Sequence, residues 1–149
     1  MITWILKPFV ELTPQELYSI LQLRNEVFIV EQNCPYQDMD NKDLKSWHLM
    51  GKINDKLVAY SRLLGPGISY SESSIGRIVS SPSARKTGMG KKLMKESIEQ
   101  IKFLFKTDII RIGAQLYLKK FYESFGFVQD GDIYLEDNIP HIIMLRKPK

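Results

Sequence analysis

The amino-acid sequence predicts a mixed α/β fold, and three local patterns carry that reading. The first is an apolar, β-branched run, Ile75-Gly76-Arg77-Ile78-Val79, closed by Ser80-Ser81-Pro82 and followed by Arg85-Lys86-Thr87-Gly88-Met89-Gly90. Beyond it Leu93, Met94, Ser97, Ile98, Ile101, Leu104 and Phe105 recur at helical spacing, so a strand runs into a glycine loop that opens a helix. The second is Thr13-Pro14-Gln15-Glu16 ahead of another helical stripe. The third is a set of strand-like stretches paired around short polar turns, at Asn54-Asp55 and again at Glu136-Asp137-Asn138.

The first strand is expected over residues 2–8. Thr13 then caps a helix, Pro14 fits its first position, and Glu16 completes a capping box. Leu17, Ile20, Leu21, Arg24, Val27 and Phe28 follow at spacings of three and four, so one face packs on a sheet. This helix should fade near Val30 and Glu31, before a turn over 33–35. Residues 34–45 are polar and aspartate-rich and read as a loop. Residues 47–53 and 56–64 read as two strands joined by a two-residue hairpin turn. A surface loop is expected over 65–73, before the strand that feeds the glycine turn. The next strand is expected over 109–114, then a helix over 115–125 ended by Gly126. Residues 127–135 and 139–145 should form the last two strands.

Neither a repeat nor a linker-like stretch interrupts the 149 residues, so one domain over residues 1–149 is expected, large enough for a real core. Hydrophobic (44%) and charged (26%) fractions are those of a soluble globular protein. The net charge of +4 is mildly basic, with basic residues dispersed apart from small groups at 85–92 and 146–149. A nucleic-acid surface needs a denser basic stripe with interleaved aromatics, so no nucleic-acid partner is expected. An anionic small molecule explains the local excess better. The single cysteine, Cys34, cannot form an internal disulfide and reads as a passive thiol in a turn. The N-terminus lacks a basic segment followed by an apolar one, and no apolar run approaches the roughly 20 residues of a membrane helix. The cytoplasm is the expected location, with no membrane partner.

The glycine turn carries chemistry as well as shape. The first turn of a helix has four backbone N–H groups without intrahelical partners, and its dipole is positive. Glycines let an anion approach that backbone closely, which makes a seat for a pyrophosphate. Arg85, Lys86, Lys91 and Lys92 add positive charge there. The Rossmann and P-loop spacings are both absent. What stands is R-x-x-G-x-G between a strand and an amphipathic helix, with Y-x-x-x-G-F following in Tyr122-Glu123-Ser124-Phe125-Gly126-Phe127. In this order and setting the two motifs resemble the acyl-CoA-binding motif and the second mark of the GNAT superfamily of N-acetyltransferases. Residues 28–40, with Ile75-Gly76-Arg77 and Ile139-Pro140-His141-Ile142, resemble the bacterial ElaA group of that superfamily.

The resemblance implies an α+β fold with a central, mostly antiparallel sheet, a splayed parallel pair of strands and flanking helices. It implies acetyl-CoA as co-substrate and no metal. Arg85, Lys86, Thr87, Gly88, Met89, Gly90 and Lys91 would hold the pyrophosphate. Main-chain groups of Ile78, Val79 and Ser80 would meet the pantetheine arm, including a donor toward the acetyl oxygen. Gln115 fills a cofactor-contacting slot that is often asparagine in relatives, and Leu118 one that is often alanine. Tyr122 stands where the family keeps a tyrosine near the coenzyme sulfur, and a phenol of pKa about 10 can protonate the leaving thiolate. Its alternative role is packing with Phe121 and Phe125.

The same resemblance sets the end of the first helix and the following loop beside the acceptor cleft. Glu31, Asp38 and Asp40 are then expected to draw in a cationic amine; the alternative is a solvated acidic loop tied down by Glu31. Many relatives use a glutamate on the fourth strand as base, and Ser74-Ile75-Gly76-Arg77 contains none. Of the two histidines, His141 lies nearer the expected thioester and is the candidate base; His48 and a solvent relay are the alternatives. Two histidines without matching ligands make no metal site. The reading is an N-acetyltransferase that moves acetyl from acetyl-CoA to a primary amine by direct attack in a ternary complex. The acceptor is a small molecule, a protein lysine or an N-terminus. The alternative is a non-catalytic acyl-CoA-binding module or sensor with the same fold. A homodimer is compatible with the sequence, which carries no mark of oligomeric state.

Overall fold

The computed structural model describes residues 1–147, beginning with strand β1 (Thr3–Pro8) and turning into helix α1 (Pro14–Arg24). The helix starts at the capping box: Glu16 N–H donates to Thr13 Oγ1 at 3.1 Å and Thr13 N–H donates to Glu16 Oε1 at 2.9 Å. After Arg24 it widens into a π-helical segment, Asn25–Glu31, with Gln32 N–H bonded to Val27 O and Cys34 N–H to Ile29 O. Apolar spacing does not distinguish such a segment from a regular helix end.

Strands β2 (Trp47–Ile53), β3 (Lys56–Leu64) and β4 (Ser74–Ser80) complete an antiparallel sheet ordered β1-β2-β3-β4. Asn54 and Asp55 take φ of +50° and +63°, the hand that suits the twist of a tight hairpin. Both faces of this sheet are covered. Leu49, Leu63 and Ile75 pack with Leu93, Met94 and Ile98 of helix α2 (Met89–Phe105). Met50, Tyr60 and Val79 pack with Ile20 and Leu23 of α1 and with Val27. Successive side chains point to opposite faces, so neighbours such as Leu49 and Met50 serve opposite cores.

The C-terminal half contains β5 (Ile110–Gln115), α3 (Lys119–Glu123), β6 (Phe127–Gln129), β7 (Tyr134–Glu136) and β8 (Ile139–Arg146). These strands form a second sheet ordered β5-β8-β6, with β7 also paired to β8. Among the described residues one parallel bridge, Ser73 to Ile110, joins the sheets, and Arg111 N–H donates to Ser73 O at 3.0 Å. Beyond that bridge β4 and β5 share no ladder. This is the splayed parallel pair expected from the sequence.

Several local expectations are corrected. The helix expected over 115–125 begins late, because Gln115 pairs with His141 in the ladder and residues Leu116–Leu118 form a 3₁₀ turn before α3. The strand expected over 127–135 breaks in two, since residues 130–133 stand opposite only Ile142 and Ile143 and Gly131 takes φ +115°. The segment 34–45, expected as a loop with solvation as the alternative to a place beside the acceptor cleft, is partly interior. Asp38 and Asp43 are buried, and Lys42–Lys45 form a 3₁₀ turn.

That interior loop is held by arginines. Arg24, with no exposed surface, donates through Nε to Asp38 Oδ2 at 2.9 Å and through Nη1 to Asp43 Oδ1 at 2.8 Å. Arg62 Nη1 reaches the same Asp43 oxygen at 3.0 Å and Asp40 Oδ1 at 2.8 Å. Breaking a buried pair from one side leaves the partner charge stranded, at a cost of about 3–5 kcal/mol. Arg24→Ala should therefore lower the unfolding free energy by an amount in that range, read as a lower urea midpoint at unchanged slope. A loss below about 1 kcal/mol would mean that the remaining arginines satisfy both aspartates alone.

Candidate active site

The opening between the sheets starts from an irregularity in β4. Tyr60 faces Val79 and Arg62 faces Gly76, so Arg77 and Ile78 together oppose Ser61. This is a β-bulge, which bends its strand and increases local twist. Arg77 carries it at φ +51°, a left-handed conformation that costs a bulky residue roughly 1–2 kcal/mol. Its side chain is clamped in return. Arg77 Nε donates to Asp38 Oδ1, and Nη2 to the Asp38 carbonyl, both at 2.8 Å.

A cleft of about 780 Å³ lies between the diverging strands. Ile78, Val79 and Ser80 line one wall; Gly113, Ala114, Gln115, Leu118 and Tyr122 line the other. Arg85 is at its rim and begins the turn that leads into α2. Lys86, Thr87 and Gly88 complete that turn, and Met89, Gly90 and Lys91 are the first helical residues. Gly88 takes φ +79°, and nothing lies within 4 Å of the place where its Cβ would stand. The first helical turn after Gly88 has N–H groups without intrahelical partners, the kind of donor an anion takes at a helix start, although of this segment only Arg85 lines the cleft. Thr87 closes the turn by donating its hydroxyl to the Ala84 carbonyl.

Tyr122 is 6% exposed, with edge-on contacts to Phe121 and Phe127 at centroid distances of 5.2 and 6.1 Å. Burial pushes its phenol well above the ordinary value, which keeps it protonated. Gln115 contacts Gln32 through a 3.4 Å amide hydrogen bond. His141 lines the same cleft, and its Nδ1 lies 2.7 Å from the Ile139 carbonyl. A carbonyl only accepts, so Nδ1 carries a hydrogen, and the lone pair of the neutral ring is on Nε2. His48, the other histidine considered as a base, is a core residue. Its Nε2–H donates to the Asp43 carbonyl at 3.0 Å, and its Nδ1 accepts from the Tyr60 hydroxyl at 2.6 Å. Burial lowers its pKa, so it stays neutral at physiological pH.

The three carboxylates expected at the acceptor end are each engaged by an arginine. Asp38 lies behind the cleft wall between Arg24 and Arg77 and is a structural residue rather than an acceptor-facing one. Asp40 lines the cleft but receives both Arg62 nitrogens, at 2.8 and 3.0 Å. Glu31 lines it too and takes a bidentate contact from Arg85, at 2.6 and 2.5 Å. The Arg85 guanidinium holds the Glu31 carboxyl below its usual range. Side chains that the sequence does not single out also face the cleft, notably Tyr70, Tyr134 and Glu136. In the sequence Glu136 reads as part of a turn; the available signal is the alternation Tyr134-Leu135-Glu136 on a strand. Among the described residues no group of three His, Cys, Asp or Glu side chains is arranged to hold a metal, and no helix is long and apolar enough to cross a membrane.

A sheet that opens between its fourth and fifth strands, with a glycine turn and a helix N-terminus at the rim of the gap, defines the acyl-CoA N-acyltransferase fold. The chain belongs to the GNAT acetyltransferase family: a family model described as an acetyltransferase (GNAT) domain matches residues 11–147. It is similar to protein ElaA of Escherichia coli, 42% identical over 149 residues that cover 99% of this chain and 97% of ElaA. The crystal structure of E. coli ElaA superposes with a TM-score of 0.92, covering 99% of this chain and 100% of that one. An acyl-CoA N-acyltransferase from Pseudomonas aeruginosa superposes at 0.94 with 43% identity, covering 98% and 99% of the two chains. An aminoglycoside 6′-N-acetyltransferase complexed with coenzyme A shares the fold at a TM-score of 0.68 and 17% identity, covering 95% and 96%.

Acid tests the network behind the cleft. Burial would raise the Asp40 carboxyl, but the hydrogen bonds and charge of Arg62, with the Lys42 N–H and Arg77, hold it at about 2. A depressed carboxyl contributes stability that is present above its unfolded value near 4 and is lost as pH falls toward 2. A pKa lowered this far corresponds to about 2 kcal/mol, less whatever water screens at a part-exposed carboxylate. Urea midpoints measured between pH 5 and pH 2 should fall steeply for the wild type and less steeply for Asp40→Asn.

Proposed function

We propose that this protein transfers the acetyl group of acetyl-CoA to a primary amine by direct attack in a ternary complex. The observation that carries the reading is the cleft between β4 and β5, with Tyr122 and His141 on its walls and, at its rim, Arg85, which begins the turn to Gly88 and α2. Coenzyme A bound to a neighbour of the same fold supports the identity of the co-substrate. Bound acetyl-CoA would supply the acyl group as an activated thioester.

The residues divide the work by position. N–H groups of Gly88, Met89, Gly90 and Lys91, with Lys86 and Thr87 in the turn, receive the pyrophosphate. Arg85 offers a phosphate the same bidentate contact it gives Glu31. Main-chain groups of Ile78, Val79 and Ser80 run beside the pantetheine arm and stabilise the acetyl oxygen as it becomes negative. Gln115 flanks the thioester end. His141 Nε2 removes one proton from the incoming ammonium, and the neutral nitrogen attacks the carbonyl carbon. As the C–N bond forms the C–S bond breaks, and the Tyr122 hydroxyl gives its proton to the departing sulfur. The nitrogen's second lost proton restores Tyr122, and His141 releases the first to solvent, so each turnover frees one proton.

Calorimetry should show acetyl-CoA binding to the wild-type protein, with thermal stabilisation that grows with ligand concentration. Gly88→Val places a β-branched residue at φ +79° and crowds the proposed pyrophosphate seat, so affinity should fall at least tenfold, or about 1.4 kcal/mol. Absence of wild-type binding refutes the proposal.

Tyr122→Phe keeps the ring and its packing and removes the donor. Affinity for acetyl-CoA should stay within about twofold while turnover falls by roughly 10²–10⁴. Full turnover in this variant would leave Tyr122 a packing role and assign the sulfur's proton to solvent.

A further inference from the structure

We infer that the acceptor enters the cleft as an alkylammonium ion held by Glu136, His141 and the hydroxyls of Tyr70 and Tyr134. This rests on the acetyltransferase reading above and names the chemical class of its acceptor.

The hairpin of β7 and β8 assembles the site. Tyr134 pairs with His141 and Glu136 with Ile139, while His141 also pairs with Gln115 and Ile143 with Gly113 of β5. Alternation along β7 turns Tyr134 and Glu136 toward the cleft and leaves Leu135, 69% exposed, on the other side. Gly113 makes the room. A Cβ there would stand 3.0 Å from the Tyr134 hydroxyl oxygen and 3.3 Å from that of Tyr70. Two hydroxyls from separate elements therefore converge over a residue without a side chain. Among the described residues neither has a hydrogen-bond partner.

His141 supplies the strongest observation. It is only 7% exposed, and its Nδ1–H is committed to the Ile139 carbonyl, so the neutral ring has its lone pair on Nε2. That nitrogen faces Glu136 Oε2 at 3.4 Å. With the ring neutral, its Nε2 and the carboxylate oxygen are both acceptors that a cationic donor can bridge; with the ring protonated, Nε2–H donates to Glu136. A primary ammonium has three N–H donors, enough for Nε2, the carboxylate and a tyrosine oxygen. Loss of one ammonium proton to Nε2 leaves an imidazolium, which Glu136 then stabilises, and an amine free to attack.

Of the other carboxylates, Asp40 is held by Arg62, and Glu31 stands beside Arg85 at the proposed pyrophosphate end rather than beside His141. Among the described residues Glu136 has no Lys or Arg partner. Burial and the Glu136 charge both raise the phenols of Tyr70 and Tyr134, which keeps them protonated and neutral beside a cation. Glu136 and the adjoining Asp137 also disfavour a carboxylate next to the amine, so the class is a primary alkylamine without one.

The test is a titration of the wild-type protein with 1,5-diaminopentane, read as the His141 Nε2 chemical shift in ¹⁵N NMR, with and without coenzyme A. The diamine should give a saturable shift and 1-pentanol none. Glu136→Gln should weaken the diamine by about tenfold, and Glu136→Asp should recover part of the loss. The Glu136 side chain is 60% exposed, so both variants should melt with the wild type. The KM for diamine in acetyl transfer should rise in parallel. No saturable shift in the wild type, or equal affinity in Glu136→Gln, overturns the site. If calorimetry shows that acetyl-CoA does not bind, the transferase reading fails, while the diamine titration still decides the ammonium site.

Discussion

The guanidinium of Arg24 lies in the interior between helix α1 and the loop that follows the π-helical segment, and much of the cleft depends on how its charge is met. It engages Asp38 and Asp43 together. Asp43 passes the contact to Arg62 on β3, and Asp38 passes it to Arg77 on β4. Three arginines and the aspartates at 38, 40 and 43 thus tie one helix, one loop and two strands into a single charge-balanced unit. Such a network adds little net stability over well-packed apolar residues, because desolvating each ion is expensive. Here its contribution is geometric. Arg77 sits in a left-handed conformation in mid-strand, and Asp38 holds its side chain there. The bulge bends β4, and the bent strand opens the cleft.

This chain of dependence explains which parts of the structure were legible in the sequence. The capping box at Thr13 and Glu16, the hairpin at Asn54-Asp55 and the glycine turn before α2 obey rules that operate within a few residues. They appear where expected. Asp38 and Asp40 read as acceptor-facing or solvated carboxylates, and Asp43 as part of a loop, because their partners lie far away at 24, 62 and 77. No local pattern distinguishes a carboxylate facing water from one facing an arginine. The break between β6 and β7 had a local cause, Gly131, yet a strand with one glycine reads much like a strand with a bulge. The late start of α3 is a tertiary effect, since the β8 ladder extends β5 through Gln115 before a helix can begin.

The candidate site divides along the same line. The proposed pyrophosphate seat is one contiguous segment, Arg85 to Lys91, where backbone and charge would act together, so a motif can point to it. The acceptor end is assembled from a loop, two strands of one hairpin and a glycine on a third strand. In the sequence Glu136 reads as part of a turn because it adjoins Asp137 and Asn138, which do form one, with φ of +51° and +65°. Only the pairing of β7 with β8 brings it beside His141.

Charge sets the two ends against each other in a way the proposed reaction can use. The co-substrate is a polyanion and the acceptor arrives as a cation, so the protein must seat both without its own charges neutralising the contacts. Arg85 is paired with Glu31 by an exposed contact, which water and salt screen, so a pyrophosphate can compete for it at small cost. Asp40 is held by Arg62 in a buried network and is not available to an incoming ammonium. Glu136, on the opposite sheet, keeps its charge for the acceptor. The amine must still shed a proton to become a nucleophile, and a carboxylate alone would hold the cation too well. A histidine whose tautomer is fixed by the Ile139 carbonyl supplies a lone pair beside that carboxylate. In the proposed site the glutamate that binds the ammonium would then stabilise the imidazolium, so little charge would have to move when the nitrogen becomes reactive.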